Sequence, residues 1–289
     1  MTVPATAVRQ ITAYLEGTDR QDQPQNIHTD AVAVEMGYKG GLVYGSSVFG
    51  WATPLILDVL GTGWMRSGWA DLQVLRPVYH GEDLAISVTP ADGDTYRVEA
   101  VGPEGKPRIA ATVGLGQGPW VAGHIRSKRL TVEPPPDPRP MLVLETAPVG
   151  ADLPMLQAQA RDRLAIMFNE ATTHGHGPLI VDGREVQSPA SICGRMTWYT
   201  HAVWDYPGPS LHARSFVQFL DLLDIDEPVT VAGHLSNAYE KNGNHYGETD
   251  GIIFGADGRE VARTRHASIF VVAKRPLAAT TTEHLSGDV

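Results

Sequence analysis

Gly37-Tyr38-Lys39-Gly40-Gly41-Leu42-Val43-Tyr44-Gly45-Ser46-Ser47 opens an apolar run that extends to Leu60. The four glycines make a flexible turn. Ser46 or Ser47 is the expected N-cap of the helix that follows. Val48, Trp51, Ala52, Leu55, Ile56, Val59 and Leu60 fall at helical spacing. Phe49 and Leu57 lie off that stripe and are apolar too, so the helix is expected to be buried on most sides. Gly61 is a natural stop, and Pro54 strips one hydrogen bond from the carbonyl of Gly50. A helix wrapped on nearly every side needs a broad partner. The next segment supplies one: Leu72, Val74, Val78, Leu84, Ile86 and Val88 alternate as in strands, and turns at 80–83 and 103–106 fold the chain into an antiparallel meander. One long helix followed by a meander is an α+β unit.

Working outward, Ala31 to Met36 reads as a short helix ending at Gly37, and Arg9 to Glu16 as an amphipathic stretch of either type. Downstream, Pro134-Pro135-Pro136-Asp137-Pro138-Arg139-Pro140 cannot enter a sheet interior and marks a boundary. The order then recurs. Gln157 to Glu170 is helix-like, Thr172 to Val186 is a loop, and Ile192 to Trp204 is a second helix. Ala213 to Leu223, Val229 to Tyr239, Tyr246 to Phe254 and Glu260 to Val272 read as strands. The segments around Asp83 and Pro228 stand about 145 positions apart, which suits a duplicated domain. The expected units are residues 1–130 and 141–275, joined by a linker at 131–140 and followed by a polar tail at 276–289.

The chain has 289 residues, 42% of them hydrophobic, and a formal net charge of −10. That charge argues against nucleic acid or an anionic membrane surface as partner. The single cysteine, Cys193, excludes an intramolecular disulfide and an all-cysteine metal site. A cytoplasmic location is expected, with no membrane span or signal peptide. His174 and His176, two apart in a glycine-containing loop upstream of Asp182, are too weak a ligand pattern, and no metal or other cofactor is expected.

Ile27-His28-Thr29-Asp30 and Gly40-Gly41-Leu42-Val43-Tyr44-Gly45 resemble the hydratase signature of the MaoC-like hot-dog family. Leu75-Arg76-Pro77-Val78-Tyr79-His80-Gly81-Glu82-Asp83-Leu84 resembles its strand-turn-strand segment, and Val149-Gly150-Ala151-Asp152-Leu153-Pro154 the opening of a second such domain. The resemblance implies a tandem hot-dog fold, each half a curved antiparallel sheet around one long helix. It implies an acyl thioester substrate, on coenzyme A or an acyl carrier, and reversible hydration of a 2-enoyl chain. The family pairs an aspartate with a histidine five residues later. Here His28 fits the histidine, Gln23 stands at the aspartate position, and Asp22 is one residue early.

Hydration needs acid/base groups and donors for an enolate-like oxyanion. His28 is the candidate acid/base, oriented by Asp22 or Asp30 or assisted by the phenol of Tyr44. The resemblance makes the Gly45 N–H the oxyanion donor, at a helix N-terminus where such groups lack intrahelical partners. Asn26, Asp30, Gly41 and Ser46 are the candidate substrate-binding positions. Each also has a structural reading: Asp30 as a cap of the Ala31 helix, Tyr44 as packing, Ser46 as a helix cap. Two alternatives stay open: a hot-dog thioesterase, and a non-catalytic acyl-thioester-binding protein or partner subunit of a heteromeric hydratase. A homodimer is a further expectation, since such folds commonly pair.

Overall fold

The structure, a computed structural model, describes residues 6–15 and 26–273. Asp22, Gln23 and the expected tail lie outside the described residues. The first half comprises β1 (Ala7–Thr12), α1 (Asp30–Glu35), α2 (Gly45–Leu60), α3 (Trp64–Ser67), β2 (Gly68–Val74), β3 (Asp83–Pro90), β4 (Thr95–Val101) and β5 (Pro107–Leu115). The second comprises β6 (Leu156–Ala158), α4 (Arg163–Thr173), a hairpin of β7 (Ile180–Val181) and β8 (Arg184–Glu185), α5 (Pro189–Val203), β9 (Leu211–Phe219), β10 (Val229–Lys241), β11 (Asn244–Phe254) and β12 (Glu260–Val271).

Ten strands form one sheet in the order β1-β3-β4-β5-β2-β9-β12-β11-β10-β6. Within each half the order, counted along the chain, is first-third-fourth-fifth-second, so the two halves share one topology. All main pairings are antiparallel, and the halves join where β2 meets β9, from Trp69 opposite Gln218 to Gln73 opposite Arg214. This is an α+β double hot-dog: each half-sheet curves around its own long helix.

The apolar run beginning at Val48 explains the first core. Val48, Phe49, Trp51, Ala52 and Ile56 of α2 are fully buried. Trp64 packs edge-on to Phe49 and Phe219 and donates its indole N–H to the Trp69 carbonyl at 3.2 Å. Three small residues let the helices approach. A Cβ on Gly50 would lie 3.2 Å from the Cβ atoms of both Ala171 in α4 and Ala190 in α5.

Several local expectations are corrected. The N-cap of α2 is Tyr44 rather than Ser46 or Ser47, which are buried in its first turn. Thr29, not Asp30, caps α1. Residues 7–12, at the start of the stretch that the sequence leaves open to either type, are a strand whose alternating exposure fits the open edge beside β3. The stretch read as helix from Gln157 begins as β6, pairing with β10, and turns helical only after Asp162, whose carboxylate accepts the Ala165 N–H at 2.9 Å. No helix among the described residues is long and apolar enough to cross a membrane.

Candidate active site

The loop carrying His28 is clamped by its own polar groups. The Asn26 side-chain oxygen accepts the His28 N–H at 3.0 Å, and the Asn26 carbonyl accepts the Thr29 hydroxyl at 2.8 Å. The Asp30 carboxylate accepts the Gly41 N–H at 2.7 Å, tying the α1 N-terminus to the glycine turn. A Cβ on Gly41 would lie 2.3 Å from the His28 carbonyl oxygen, so only glycine permits this approach. Ile27, Ala33, Tyr38 and Leu42 form a small apolar cluster beneath the loop. Asn26, Asp30 and Gly41 are thus engaged in shaping the loop.

His28 Nδ1 lies 2.5 Å from the Leu42 carbonyl. A carbonyl only accepts, so Nδ1 carries the proton and Nε2 is the basic nitrogen. Burial lowers the His28 pKa to about 4; the Leu42 carbonyl opposes that shift and His201 adds to it. The ring is therefore neutral at pH 7. Tyr44 stacks on it, with ring centroids 3.5 Å apart and planes 27° off parallel, and meets the edge of Phe168 from α4 at 6.1 Å. Tyr44 thus touches both His28 and a helix of the second half.

Gly45 is the first residue of α2, where backbone N–H groups have no intrahelical acceptor. A Cβ here would lie 2.7 Å from a Val74 methyl and 3.6 Å from His212 Nδ1. Ser46 is only 3% exposed. Among the described residues no carboxylate hydrogen-bonds the His28 ring. Asp30 is committed to Gly41, and Asp22 lies outside the described residues.

The second half brings His212 to the N-terminus of α2, which sequence reasoning did not place there. His212 of β9 shares a hydrogen bond with Ser215 at 2.8 Å, and Ser215 with His266 of β12 at 3.1 Å. His201, near the end of α5, shares one with Ser210 at 2.7 Å. His201 opposes protonation of both His28 and His266. Among the described residues no three metal-ligating side chains converge. A cleft of about 720 Å³ runs along the outer side of the loop, lined by Asp30, Lys39, Gly40, Gly41, His80 and Arg108. It touches the loop that holds His28 but does not include the ring. In the second half, His174 ends α4 in a left-handed conformation and is also lowered to about 4, chiefly by burial.

No protein-family model matches the sequence, and no curated protein matches it. The fold has solved counterparts. A MaoC-like dehydratase matches over 92% of this chain and 98% of its own, at 14% identity and a TM-score of 0.56. A Mycobacterium tuberculosis protein described as having a double hotdog fold matches over 92% and 96%, at 13% identity and a TM-score of 0.58. A Lactobacillus plantarum protein assigned as an oleoyl thioesterase matches over 93% and 97%, at 10% identity and a TM-score of 0.50. Across nearly the whole of its length, what this chain shares with all three is the double hot-dog fold.

Proposed function

We propose that the protein is an acyl-thioester enzyme that reversibly hydrates a 2-enoyl chain at the N-terminus of α2. The observation that carries this reading is the neutral His28 ring, fixed through Nδ1 by Leu42 and stacked on the residue that precedes Gly45. In the hydration direction, His28 Nε2 takes a proton from water as the hydroxyl adds to C3 of the enoyl chain. Electron density moves onto the thioester oxygen, which the Gly45 N–H stabilises. The His28 imidazolium then returns its proton to C2. The proton removed from water ends on carbon, so one histidine closes the cycle without the family's aspartate. A ring with a pKa near 4 is wholly in its base form at pH 7, at the cost of lower basicity.

A second reading is thioester hydrolysis, with His28 activating water toward the carbonyl and the thiolate leaving. Like hydration, this step needs only a single base to activate water, which His28 supplies. The likeness to a protein assigned as an oleoyl thioesterase is in keeping. An acyl-thioester-binding protein without catalysis is the third.

The test is an ultraviolet assay on short and long 2-enoyl-CoA substrates with free thiol followed in the same cuvette. Loss of enoyl absorbance without thiol, abolished in His28→Ala, supports hydration. Thiol release that depends on His28 selects hydrolysis. Silence in both channels, with acyl-CoA still bound, selects the binding protein.

A further inference from the structure

In a regular strand, residues three apart face opposite sides of the sheet. His212 and Ser215 are three apart, yet their side chains meet at 2.8 Å. A bulge explains this. Opposite β12, Arg214 pairs with Ala267 and His212 with Ser268, so Ala213 is an extra residue on β9. The extra residue turns His212 onto the face of Ser215, toward α2. His266 pairs with Ser215 in the neighbouring strand and reaches the same hydroxyl at 3.1 Å.

Both outer nitrogens of this array are buried and without a hydrogen-bond partner: His212 Nδ1 at one end and His266 Nε2 at the other. His266 itself is only 1% exposed. Burial lowers His212 to about 4, against the Arg214 backbone, and holds His266 well below the ordinary histidine value. Two neutral imidazoles sharing one hydroxyl have linked tautomers. Ser215 has one proton, so it donates to one ring and accepts from the other. If His212 Nδ1 carries a proton, its Nε2 accepts from Ser215, Ser215 accepts from His266 Nδ1–H, and His266 Nε2 is bare. In the opposite arrangement His212 Nδ1 is bare and His266 Nε2 carries a proton. Passing from the first to the second releases one proton at His212 Nδ1, moves two along the chain and takes one from water at His266 Nε2, leaving the charge unchanged. A merely structural triad gains nothing from two buried nitrogens without hydrogen-bond partners, since an unsatisfied buried polar group is destabilising.

We propose that His212 Nδ1 is a second polar contact for the ligand at the N-terminus of α2, and that Ser215 and His266 are positioning residues that set its donor or acceptor sense. The proposal rests on the reading of that terminus as the thioester site. Its geometric basis is the 3.6 Å between His212 Nδ1 and the place a Cβ would occupy on Gly45. A thioester oxygen only accepts, so its arrival selects the arrangement with the proton on His212 Nδ1.

The test uses the full chain with nitrogen-15-labelled histidine and 2-oxopentyl-CoA, a ketone that keeps the carbonyl and can be neither hydrated nor hydrolysed. S-pentyl-CoA, without the carbonyl, is the control. The ketone is expected to move His212 to the Nδ1–H tautomer and His266 with it, and the control to leave both unchanged. Asparagine places its amide near the Nδ1 position and glutamine near Nε2. His212→Asn is therefore expected to bind the ketone within about threefold of wild type, and His212→Gln about tenfold or more weakly. Ser215→Ala is expected to uncouple the two rings. A ketone that shifts the Gly45 amide while both rings stay unchanged, or equal binding by the Asn and Gln variants, overturns the proposal. A wild type that binds neither analogue removes the thioester reading and the ligand contact with it. The Ser215 linkage then falls if both tautomers are unaltered in unliganded Ser215→Ala.

Discussion

The candidate site is built from residues whose alternatives do not fit. Gly41 is the sharpest case, because the atom a Cβ would strike is the backbone oxygen of His28 itself. Gly41→Ala is expected to cost about 1–3 kcal/mol and to displace the His28 loop. A denaturant midpoint together with the enoyl-CoA rate checks both effects; an unchanged midpoint would mean that the loop yields freely. His28 makes a prediction about pH. An ordinary histidine base gives an acidic limb near 6.5, whereas a ring lowered to about 4 keeps its base form well below that. The kcat/KM profile is therefore expected to stay level from pH 8 to about 5 before it falls. Stability moves earlier. His28, His212 and His266 all hold protons less tightly folded than unfolded, so the unfolded chain binds more protons from about pH 6.5 downward, and stability falls toward pH 4. Thermal midpoints at pH 7 and 5 measure that slope, and a higher midpoint at pH 5 would contradict it.

At the scale of elements, α2 does two jobs. Its length fills the first half-sheet, and its N-terminus is where the proposed site lies. Its contact with α4 and α5 depends on Gly50. Gly50→Val is expected to force those helices apart and cost about 1–3 kcal/mol. Gly50→Ala gains about 1 kcal/mol of helix propensity against a tight fit and is expected to be near neutral. Paired unfolding curves decide this, and a neutral valine variant would show that the helices slide. Much of α2 was legible beforehand, since an apolar run of that length bounded by Gly45 and Gly61 has few other readings. The true cap was not, because Tyr44 caps through its backbone position and leaves no side-chain signal. His212 was hidden for a different reason. Alternation alone puts it on the opposite face from Ser215, and the bulge that reverses this is a property of the β9–β12 pairing.

The whole molecule hangs on the β2–β9 seam. Arg214 grips Asp71 across it with two hydrogen bonds of 2.8 and 2.6 Å. Gln218 accepts the Gly118 N–H at 2.7 Å and donates to the carbonyls of Gly68 and Gly116. Without the second half, β2 becomes an open edge and α2 loses the helices against Gly50. Residues 1–130 expressed alone are therefore expected to self-associate through β2 or to precipitate, and light scattering reads the outcome. A stable monomer would mean that the halves are independent. The sequence by itself determined what local pattern can carry: the long buried helix, the meander after it, the recurrence of that order, and a glycine-rich loop presenting His28. These follow from periodicity and from residue types with one conformational use. Tertiary structure alone decided which groups face Gly45. His212 comes from a distant segment and meets Gly45, with Ser215 and His266 linked behind it, only because two half-sheets join edge to edge and one strand carries an extra residue. A side chain's partner across such a seam depends on register, and register is set by pairing over the whole sheet.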